Sequence, residues 1–278
     1  MRYLIFGNGY FGKKLQETLP DAHIEAHVDI TNEDSVRAAL IKHRPEVLIN
    51  CAGKTGRPNV DWCEDHMLET IHANVTGPLV LLKVASELNQ YWVHLGSGCI
   101  YDGDNGGKGW SEEDPANFTG SFYSKTKAHS DELLSDFPVL QVRLRMPIDG
   151  EPGDRNLITK LARYTQVIST PNSISVVPDA VLAIQKLTEQ RIVGRFNLVN
   201  PGAITHRDIL DMYREIVDPT HTVSYITLEA LAHLTKASRS NCYLNTEKLV
   251  AHGVVLPDIK TRVRELMHHY RANLDTAV

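Results

Sequence analysis

The sequence predicts an α/β fold, with a doubly wound parallel sheet followed by a smaller, mostly helical C-terminal lobe. Three observations support this prediction. Short apolar, β-prone runs alternate with helical stretches as far as residue 145, which is the pattern of a doubly wound sheet. A Gly-x-Gly-x-x-Gly turn and a helical stretch follow the first of these runs. The length of 278 residues is sufficient for one large α/β domain and a smaller lobe.

The glycine-rich turn at residues 7–12 indicates a dinucleotide-binding domain of the Rossmann type. Glycines permit a tight turn and a close approach of the backbone to a ligand. The N-terminus of the following helix presents amide groups and the positive end of its dipole to a pyrophosphate. The predicted cofactor contacts of this turn are Gly7, Gly9, Tyr10, Phe11 and Gly12.

The second strand leaves the choice of cofactor open. Such a strand usually ends in an acid that binds the ribose, and Asp29 is the only acid that we place in range. We expect Asp29 and Ile30 to lie under the adenine. No arginine stands where a 2′-phosphate would need one, although His27, Lys13 and Lys14 could serve. We expect NADPH, with NADH as the alternative.

The remaining elements follow from apolar periodicity and from turn residues. The predicted strands lie at residues 2–6, 24–28, 47–51, 91–95, 139–145 and 195–199. The predicted helices lie at residues 13–18, 34–42, 64–89, 122–136, 156–164, 178–189, 206–217, 228–235 and 259–273. We expect residues 1–146 to form the Rossmann domain and residues 147–278 to form mainly the lobe, with a strand near 194–199 returning to the sheet.

Small residues follow the third strand, and a polar residue interrupts the next helix. Ala52 and Gly53 would allow a cofactor ribose to pass the end of that strand. Asn74 either holds the backbone near the site or is an ordinary polar helix residue, and the sequence does not decide between these alternatives.

The segment from Gly96 to Lys127 carries the candidate catalytic groups. Ser97 and Cys99 follow the fourth strand, at the sheet edge where α/β proteins bind ligands. Tyr123 and Lys127 are four residues apart, which is one turn of a helix. The pKa of an ordinary tyrosine is about 10, and an ammonium beside the phenol lowers it, so that the hydroxyl can transfer protons near neutral pH. The Tyr-x-x-x-Lys spacing alone is common on helices, and its place after a dinucleotide-binding turn favours catalysis.

Composition and charge exclude several functions. The chain is 42% hydrophobic and 23% charged, which is typical of globular proteins. A net charge of −5 argues against nucleic acid or an anionic membrane as the main partner. We find no targeting segment and no apolar run of about 18 residues that could span a bilayer, so we expect a cytoplasmic protein.

The cysteines and histidines show no metal-ligand spacing. The four cysteines form no C-x-x-C pair, and we interpret them as reduced thiols of a cytosolic protein. We therefore predict no metal site. The cysteines are Cys51, Cys63, Cys99 and Cys242.

The order of these motifs resembles that of the extended short-chain dehydrogenase/reductases, and more specifically that of the nucleotide-rhamnose synthases. The latter are bifunctional 3,5-epimerase/4-reductases of plant-type UDP-rhamnose synthesis. The dTDP-4-dehydrorhamnose reductases share the fold but typically carry Ser-Thr-Asp-Tyr where this chain has Gly-Ser-Gly-Cys, which places a thiol at the site. The resembling runs are residues 55–64, 117–127, 143–147, 155–160 and 239–241.

The resemblance implies a role for each candidate catalytic residue. Ser97, Tyr123 and Lys127 would form the reductase triad, and Cys99 and Lys160 would serve the epimerisation, as a cysteine and a basic residue do in the related GDP-fucose synthases. Each epimerase residue also has an ordinary structural interpretation, because free cysteines are often buried in cores and lysines usually lie on solvated helix faces.

The implied reaction converts UDP-4-keto-6-deoxy-D-glucose to UDP-L-rhamnose with NADPH. The C3 and C5 hydrogens flank the ketone and are acidic, so a base and an acid on opposite faces can invert both centres. Epimerisation must come first, because reduction removes the ketone. A separate 4,6-dehydratase would supply the substrate. The alternatives are a dTDP-4-dehydrorhamnose reductase without epimerase activity and a non-catalytic, NADP(H)-binding regulatory subunit.

Further residues are assigned to ligands or to the scaffold. Arg239 either grips the nucleotide diphosphate or forms a surface ion pair, and Arg57 and Asn59 either border the sugar pocket or shape the turn at Pro58. By resemblance, we expect a possible homodimer. The predicted substrate contacts are Arg57, Asn59, Ser97, Asn156 and Arg239, and the further cofactor contacts are Ala52, Gly53, Asn74, Tyr123, Lys127 and Arg145.

Overall fold

The computed structural model describes residues 1–276, and its centre is a parallel sheet of six strands. The strands run in the order β2-β1-β3-β4-β5-β7, so the chain turns back across β1 and winds in both directions from it. This confirms the predicted doubly wound α/β fold. The strands are β1 (Tyr3–Phe6), β2 (Ala22–Glu25), β3 (Val47–Asn50), β4 (Trp92–Ser97), β5 (Leu140–Leu144), β6 (Gln166–Val167), β7 (Gly194–Asn197) and β8 (Ser224–Tyr225).

Helices cover the sheet and build the lobe. None of the described helices is both long enough and apolar enough to cross a lipid bilayer. The helices are α1 (Tyr10–Thr18), α2 (Glu33–His43), α3 (Trp62–Asp65), α4 (Met67–Ile71), α5 (Gly77–Glu87), α6 (Phe122–Leu134), α7 (Leu157–Arg163), α8 (Val177–Glu189), α9 (His206–Ile216), α10 (Leu228–Ala232), α11 (Glu247–Ala251) and α12 (Ile259–Thr276).

The sheet separates two apolar layers because the side chains of a strand alternate between its faces. In β1, Tyr3 and Ile5 pack in a cluster with residues of α1 and α8, whereas Leu4 and Phe6 pack in a cluster with residues of α2 and α5. All four β1 residues are buried. Central strands that are apolar on both faces therefore position the strand ends that carry the site.

A third apolar cluster lies in the C-terminal half of the chain. It is built by residues of α7, α9 and α12 together with Ile148, Ile174 and Ile204. β6 and β8 form a separate two-stranded parallel sheet, which the sequence did not predict. The predicted return of the chain to the main sheet is confirmed, because β7 pairs with β5.

Most predicted elements differ by a few residues in their bounds, and two of the differences bear on the site. The single helix predicted at residues 64–89 is wrong: His66 leaves the helical region with φ −126° and ψ 50°, and residues His72–Thr76 form a π-helical turn. The second strand lies at Ala22–Glu25 rather than at residues 24–28. This strand is at the edge of the sheet and only half-buried, so its apolar pattern is weak.

Candidate active site

The glycine-rich turn connects β1 to α1 and leaves open space at the N-terminus of that helix. Gly7 has φ 105°, and a Cβ atom there would lie 2.6 Å from the backbone nitrogen of Ala52. A Cβ atom on Gly12 would collide with the carbonyl oxygen of Gly7, whereas one on Gly9 would meet no atom within 4 Å. The turn thus packs closely against the sheet and opens outward at Gly9. This shape fits a pyrophosphate at the helix N-terminus.

The predicted adenine residues lie at the turn before α2. Asp29 is exposed, and its carboxylate accepts hydrogen bonds from the Thr31 amide (2.9 Å) and the Thr31 hydroxyl (2.7 Å), which lower its pKa. The side chain of Ile30 is buried in the core against Gly77. Asp29 therefore closes a turn, and its contact with adenine stays a prediction.

The acid at the end of β2 is Glu25, whereas the sequence analysis considered only Asp29 for that position. Its carboxylate accepts hydrogen bonds from Lys42 (2.9 Å) and faces the His43 ring (2.7 Å), and these partners lower its pKa to about 2. His23, Glu25 and His43 offer ligand atoms within 4.8 Å of one another, the only such group found in the described chain. The Lys42 ion pair accounts for the Glu25 charge without a metal ion.

Asn74 lies in the π-helical turn and is 1% exposed. Its side-chain oxygen accepts from the Lys54 amide (2.8 Å), and its nitrogen donates to the Lys54 carbonyl (2.9 Å) and to the Thr126 hydroxyl (3.2 Å). Of the two alternatives for Asn74, the structure shows the first. The side chain fixes the backbone that follows β3, beside Ala52 and Gly53, and joins it to α6.

Ser97 and Cys99 belong to one tight turn at the end of β4. The Ser97 hydroxyl accepts a hydrogen bond from the Cys99 amide (3.1 Å) and caps the 3₁₀ turn at Gly98–Ile100. Cys99 is half-buried, and the Arg145 guanidinium lies 2.9 Å from its sulfur. Arg145 was predicted to contact the cofactor, and the structure places it beside the thiol.

Tyr123 and Lys127 lie one turn apart on α6, which begins with a Ser121 cap. Both side chains are buried. The Lys127 ammonium donates to the Leu95 carbonyl (2.8 Å) and lies 3.5 Å from a nitrogen of His94. Burial lowers the pKa of Lys127 to about 8.

The expectation that Lys127 lowers the pKa of Tyr123 is not met in this structure. Burial raises the pKa of Tyr123, and the nearby Cys99 sulfur adds to the effect, while a hydrogen bond with Ser97 and the charge of Arg145 oppose it. Lys127 is instead bonded to a backbone carbonyl. The phenol is therefore protonated at neutral pH.

Lys160 lies on α7 and is half-buried. Burial lowers its pKa, and the positive charge of Arg155 lowers it further. Arg155, which the sequence reasoning did not single out, donates to the Gly56 carbonyl (3.1 Å) and so ties the loop before α7 to the loop after β3. The arrangement concentrates positive charge where residues 55–57 and 155–160 meet.

Three predicted substrate contacts already have partners within the protein. Arg239 forms a two-pronged ion pair with Asp61, with distances of 2.8 and 2.9 Å, which is the second of the two alternatives for this residue. Asn59 accepts from the Asp61 amide (2.9 Å). Asn156 is fully buried and donates to the carbonyls of Asp149 and Glu151. Asn156 therefore stabilises this loop. Both protons of its side-chain amide are used in these hydrogen bonds, so neither is free for the predicted contact with the substrate.

Comparison with known proteins shows the family to which the chain belongs. The family described as RmlD substrate binding domain matches residues 1–272. A bifunctional dTDP-4-dehydrorhamnose 3,5-epimerase/dTDP-4-dehydrorhamnose reductase of Arabidopsis thaliana is 39% identical over 93% of this chain and 89% of its own length. The chain spans 39% of a trifunctional Arabidopsis UDP-glucose 4,6-dehydratase/3,5-epimerase/reductase, with 38% identity.

Solved structures show the same relationship. The UDP-rhamnose synthase of Acanthamoeba polyphaga mimivirus superposes with a TM-score of 0.92 at 32% identity, covering 97% of this chain and 99% of that one. A dTDP-4-dehydrorhamnose reductase from Bacillus anthracis, solved in complex with NADP, shares the fold with a TM-score of 0.81 at 20% identity over 95% and 96% of the two chains. The chain is thus an enzyme of the RmlD family, to which UDP-rhamnose synthases and dTDP-4-dehydrorhamnose reductases belong.

Proposed function

We propose that the chain is a bifunctional 3,5-epimerase/4-reductase that converts UDP-4-keto-6-deoxy-D-glucose to UDP-L-rhamnose with NADPH. The observation that carries this proposal is the shared turn of Ser97 and Cys99, which places a thiol next to the reductase hydroxyls Ser97 and Tyr123. Relatives that bear both activities in their names support it. One pocket would then serve both reactions on the same ketone.

The glycine turn and α6 would hold the cofactor. The open space at Gly9 receives the pyrophosphate, and the backbone fixed by Asn74 borders the ribose. NADPH, when bound, supplies the hydride that reduces C4. A structural relative solved with NADP supports this choice of cofactor.

In the reductase reaction, Tyr123 is the proton donor. Burial raises the pKa of Tyr123, so the phenol carries its proton at neutral pH and can give it to the C4 oxygen as that oxygen gains charge. The Ser97 hydroxyl donates a hydrogen bond to the same oxygen. Lys127, anchored on Leu95, places a cation behind the phenol on the same helix face.

In the epimerase reaction, Cys99 and Lys160 exchange protons with the sugar. The Cys99 thiolate removes a proton from C3 or C5, and the electron pair moves into an enolate whose charge rests on the C4 oxygen. The Lys160 ammonium then delivers a proton to the opposite face, and the ketone forms again. The lowered pKa of Lys160 brings proton transfer closer to neutral pH. Water restores both groups, and no oxidant or reductant is consumed.

Proton NMR of the product formed in deuterated water tests the proposal. The protein is incubated with NADPH and UDP-4-keto-6-deoxyglucose, and we expect UDP-rhamnose that carries deuterium at C3 and C5. Cys99→Ser should lose the deuterium at both carbons while still reducing a sugar that has already been epimerised.

Two outcomes contradict the proposal. Oxidation of NADPH with no deuterium at C3 or C5 would identify a reductase that depends on a separate epimerase. Tight NADPH binding without turnover of UDP-linked or dTDP-linked 4-keto sugars would identify a regulatory subunit. The trifunctional relatives combine a 4,6-dehydratase with these activities, so we propose that a 4,6-dehydratase reaction supplies the substrate.

A further inference from the structure

Arg145, the residue that follows β5, is a buried cation beside the Cys99 thiol. Its side chain is 2% exposed, and its Nη1 atom donates to the Cys99 sulfur at 2.9 Å. Because the guanidinium is charged at every physiological pH, this bond brings a permanent positive charge to the sulfur. A thiolate gains more from such a donor than a thiol does.

The guanidinium is held in place by neutral oxygens. Nη2 donates to the Asn172 side-chain oxygen and to the Ser240 carbonyl, each at 2.5 Å. Asn172 is itself fixed by the Cys242 amide (3.0 Å) and by Asn241 (3.0 Å). The geometry of Arg145 is thus set from outside the catalytic turn.

No carboxylate forms an ion pair with Arg145 among the described contacts. Its Nε atom is buried and has no hydrogen-bond partner. The Asp102 carboxylate acts on Arg145 without bonding to it. Among the described hydrogen-bond partners of Arg145, only the Cys99 sulfur can become an anion, and a buried cation gains from such a partner. Burial acts to lower the pKa of Arg145, and the facing Cys99 and Cys242 sulfurs together with the Asp102 carboxylate more than offset this effect.

The other cysteines have different surroundings, although the charge of Arg145 also acts on Cys242. Burial raises the pKa of Cys242 to about 11, and its sulfur lies 3.3 Å from the Gly98 carbonyl. Burial also raises the pKa values of Cys51 and Cys63. In the described chain, Cys99 alone accepts a hydrogen bond from a guanidinium.

Several other groups face the Cys99–Arg145 pair. Burial lowers the pKa of His206 to about 4, so this ring is neutral, and Tyr123 is protonated. Lys127 is a second cation, but its ammonium is bonded to the Leu95 carbonyl. The facing groups are Tyr123 and Lys127 of α6, His206 of α9, and Asp102 and Cys242 of the loops.

We propose that Arg145 is a positioning residue whose guanidinium, oriented by Asn172 and Ser240, holds the Cys99 sulfur in the catalytic turn and stabilises negative charge on that sulfur. The assignment of Cys99 as the epimerase base rests on the proposed function, whereas the pairing itself does not. The cofactor contact expected for Arg145 from the sequence stays a prediction.

The test measures alkylation of Cys99 by iodoacetamide between pH 5 and 9, quantified by mass spectrometry of the Cys99 peptide. In Arg145→Met we expect alkylation at pH 7 to be about tenfold slower than in the natural protein, and its pH profile to move to higher pH, because the thiolate is the reactive form. Arg145→Lys should recover part of the rate. The Cys63 peptide is the internal control, because that thiol is buried and Arg145 is not among the groups that shift its pKa.

Unchanged rates and an unchanged profile in Arg145→Met would overturn the proposal. If that variant does not fold, the absorbance of the natural protein at 240 nm, minus that of Cys99→Ser, reports the thiolate directly. A difference present at pH 7 supports the proposal, and one that emerges only above pH 9 refutes it.

Alkylation needs no turnover, so the result is independent of the epimerase assignment. A fast, Arg145-dependent alkylation in a protein that incorporates no deuterium would keep the pairing and reject the epimerase. Deuterium incorporation that persists in Arg145→Met with an unchanged alkylation profile would keep the epimerase and reject the pairing.

Discussion

Lys127 carries its charge where burial opposes it. Burial lowers its pKa to about 8, although the charge of Asp131 opposes this effect. Below that pH the folded protein holds a buried ammonium, and its hydrogen-bond partners among the described residues are the Leu95 carbonyl and the His94 ring. Desolvation of this charge costs free energy of folding. The stability of the fold alone would therefore not favour a lysine at this position.

Lys127→Met should stabilise the protein at pH 7 by about 1–3 kcal/mol while abolishing reduction. Between pH 8 and 10.5 the amine is neutral in the folded protein and still charged in the unfolded chain. The free-energy cost of burying the charge therefore decreases as the pH rises, and the stability gained by the substitution decreases with it. Urea unfolding at pH 7 and pH 10 measures this difference. Lys125→Met, at an exposed position of the same helix, is the control, and a gain independent of pH would refute the argument.

The candidate catalytic residues were predictable where they are close in sequence. Ser97 with Cys99, and Tyr123 with Lys127, stand at spacings that a turn and a helix impose. Arg145 and Cys99 are separated by 46 positions in the sequence, and the residues around Arg145 form no pattern that predicts their contact. Long-range pairing of this kind depends on the sheet order, which places β5 next to β4.

The π-helical turn at His72–Thr76 shows how an irregular element serves the site. A single predicted helix would have left the Asn74 amide on a regular surface, whereas the turn delivers it to the Lys54 backbone. The sequence named Asn74 as a candidate but could not locate the turn, because the apolar pattern of residues 64–89 continues through it.

Asn74→Ala should destabilise the protein by about 1–3 kcal/mol, since it leaves the Lys54 amide and carbonyl without their partners. We also expect weaker NADPH binding, because under the proposed function this backbone borders the cofactor. Urea unfolding and cofactor fluorescence titration measure the two effects. His72→Ala, at an exposed position of the same turn, should change neither. Normal NADPH affinity in Asn74→Ala would show that Asn74 does not contribute to cofactor binding.

The sheet and the C-terminal helices are joined by a buried polar contact. Asp179 of α8 is 7% exposed and receives hydrogen bonds from Arg262 of α12, with Nε 3.1 Å from each carboxylate oxygen, and from Asn200 (2.7 Å). α8 packs on the sheet, whereas α12 packs in the C-terminal cluster. The contact therefore couples the two apolar cores.

Asp179→Asn should lower stability by about 1–3 kcal/mol, because it removes the buried carboxylate that Arg262 and Asn200 bind and leaves Arg262 only its exposed partner Glu265. Arg264→Met, on the same helix, removes an exposed pair with Glu215 and should cost less than about 1 kcal/mol. Circular dichroism melts compare the two variants. Equal losses would show that the Asp179 contact does not couple the cores.

The cap that the Ser97 hydroxyl forms on the Cys99 amide has an evolutionary consequence. Under the proposed function, replacing Cys99 abolishes the inversion of the sugar ring centres and leaves the reduction intact. Replacing Ser97 weakens the reduction and also destabilises the turn that positions the Cys99 thiol. Mutation can therefore separate the two activities in only one direction. A lineage derived from such a protein could become a simple reductase in one step, but a pure epimerase only by rebuilding the turn.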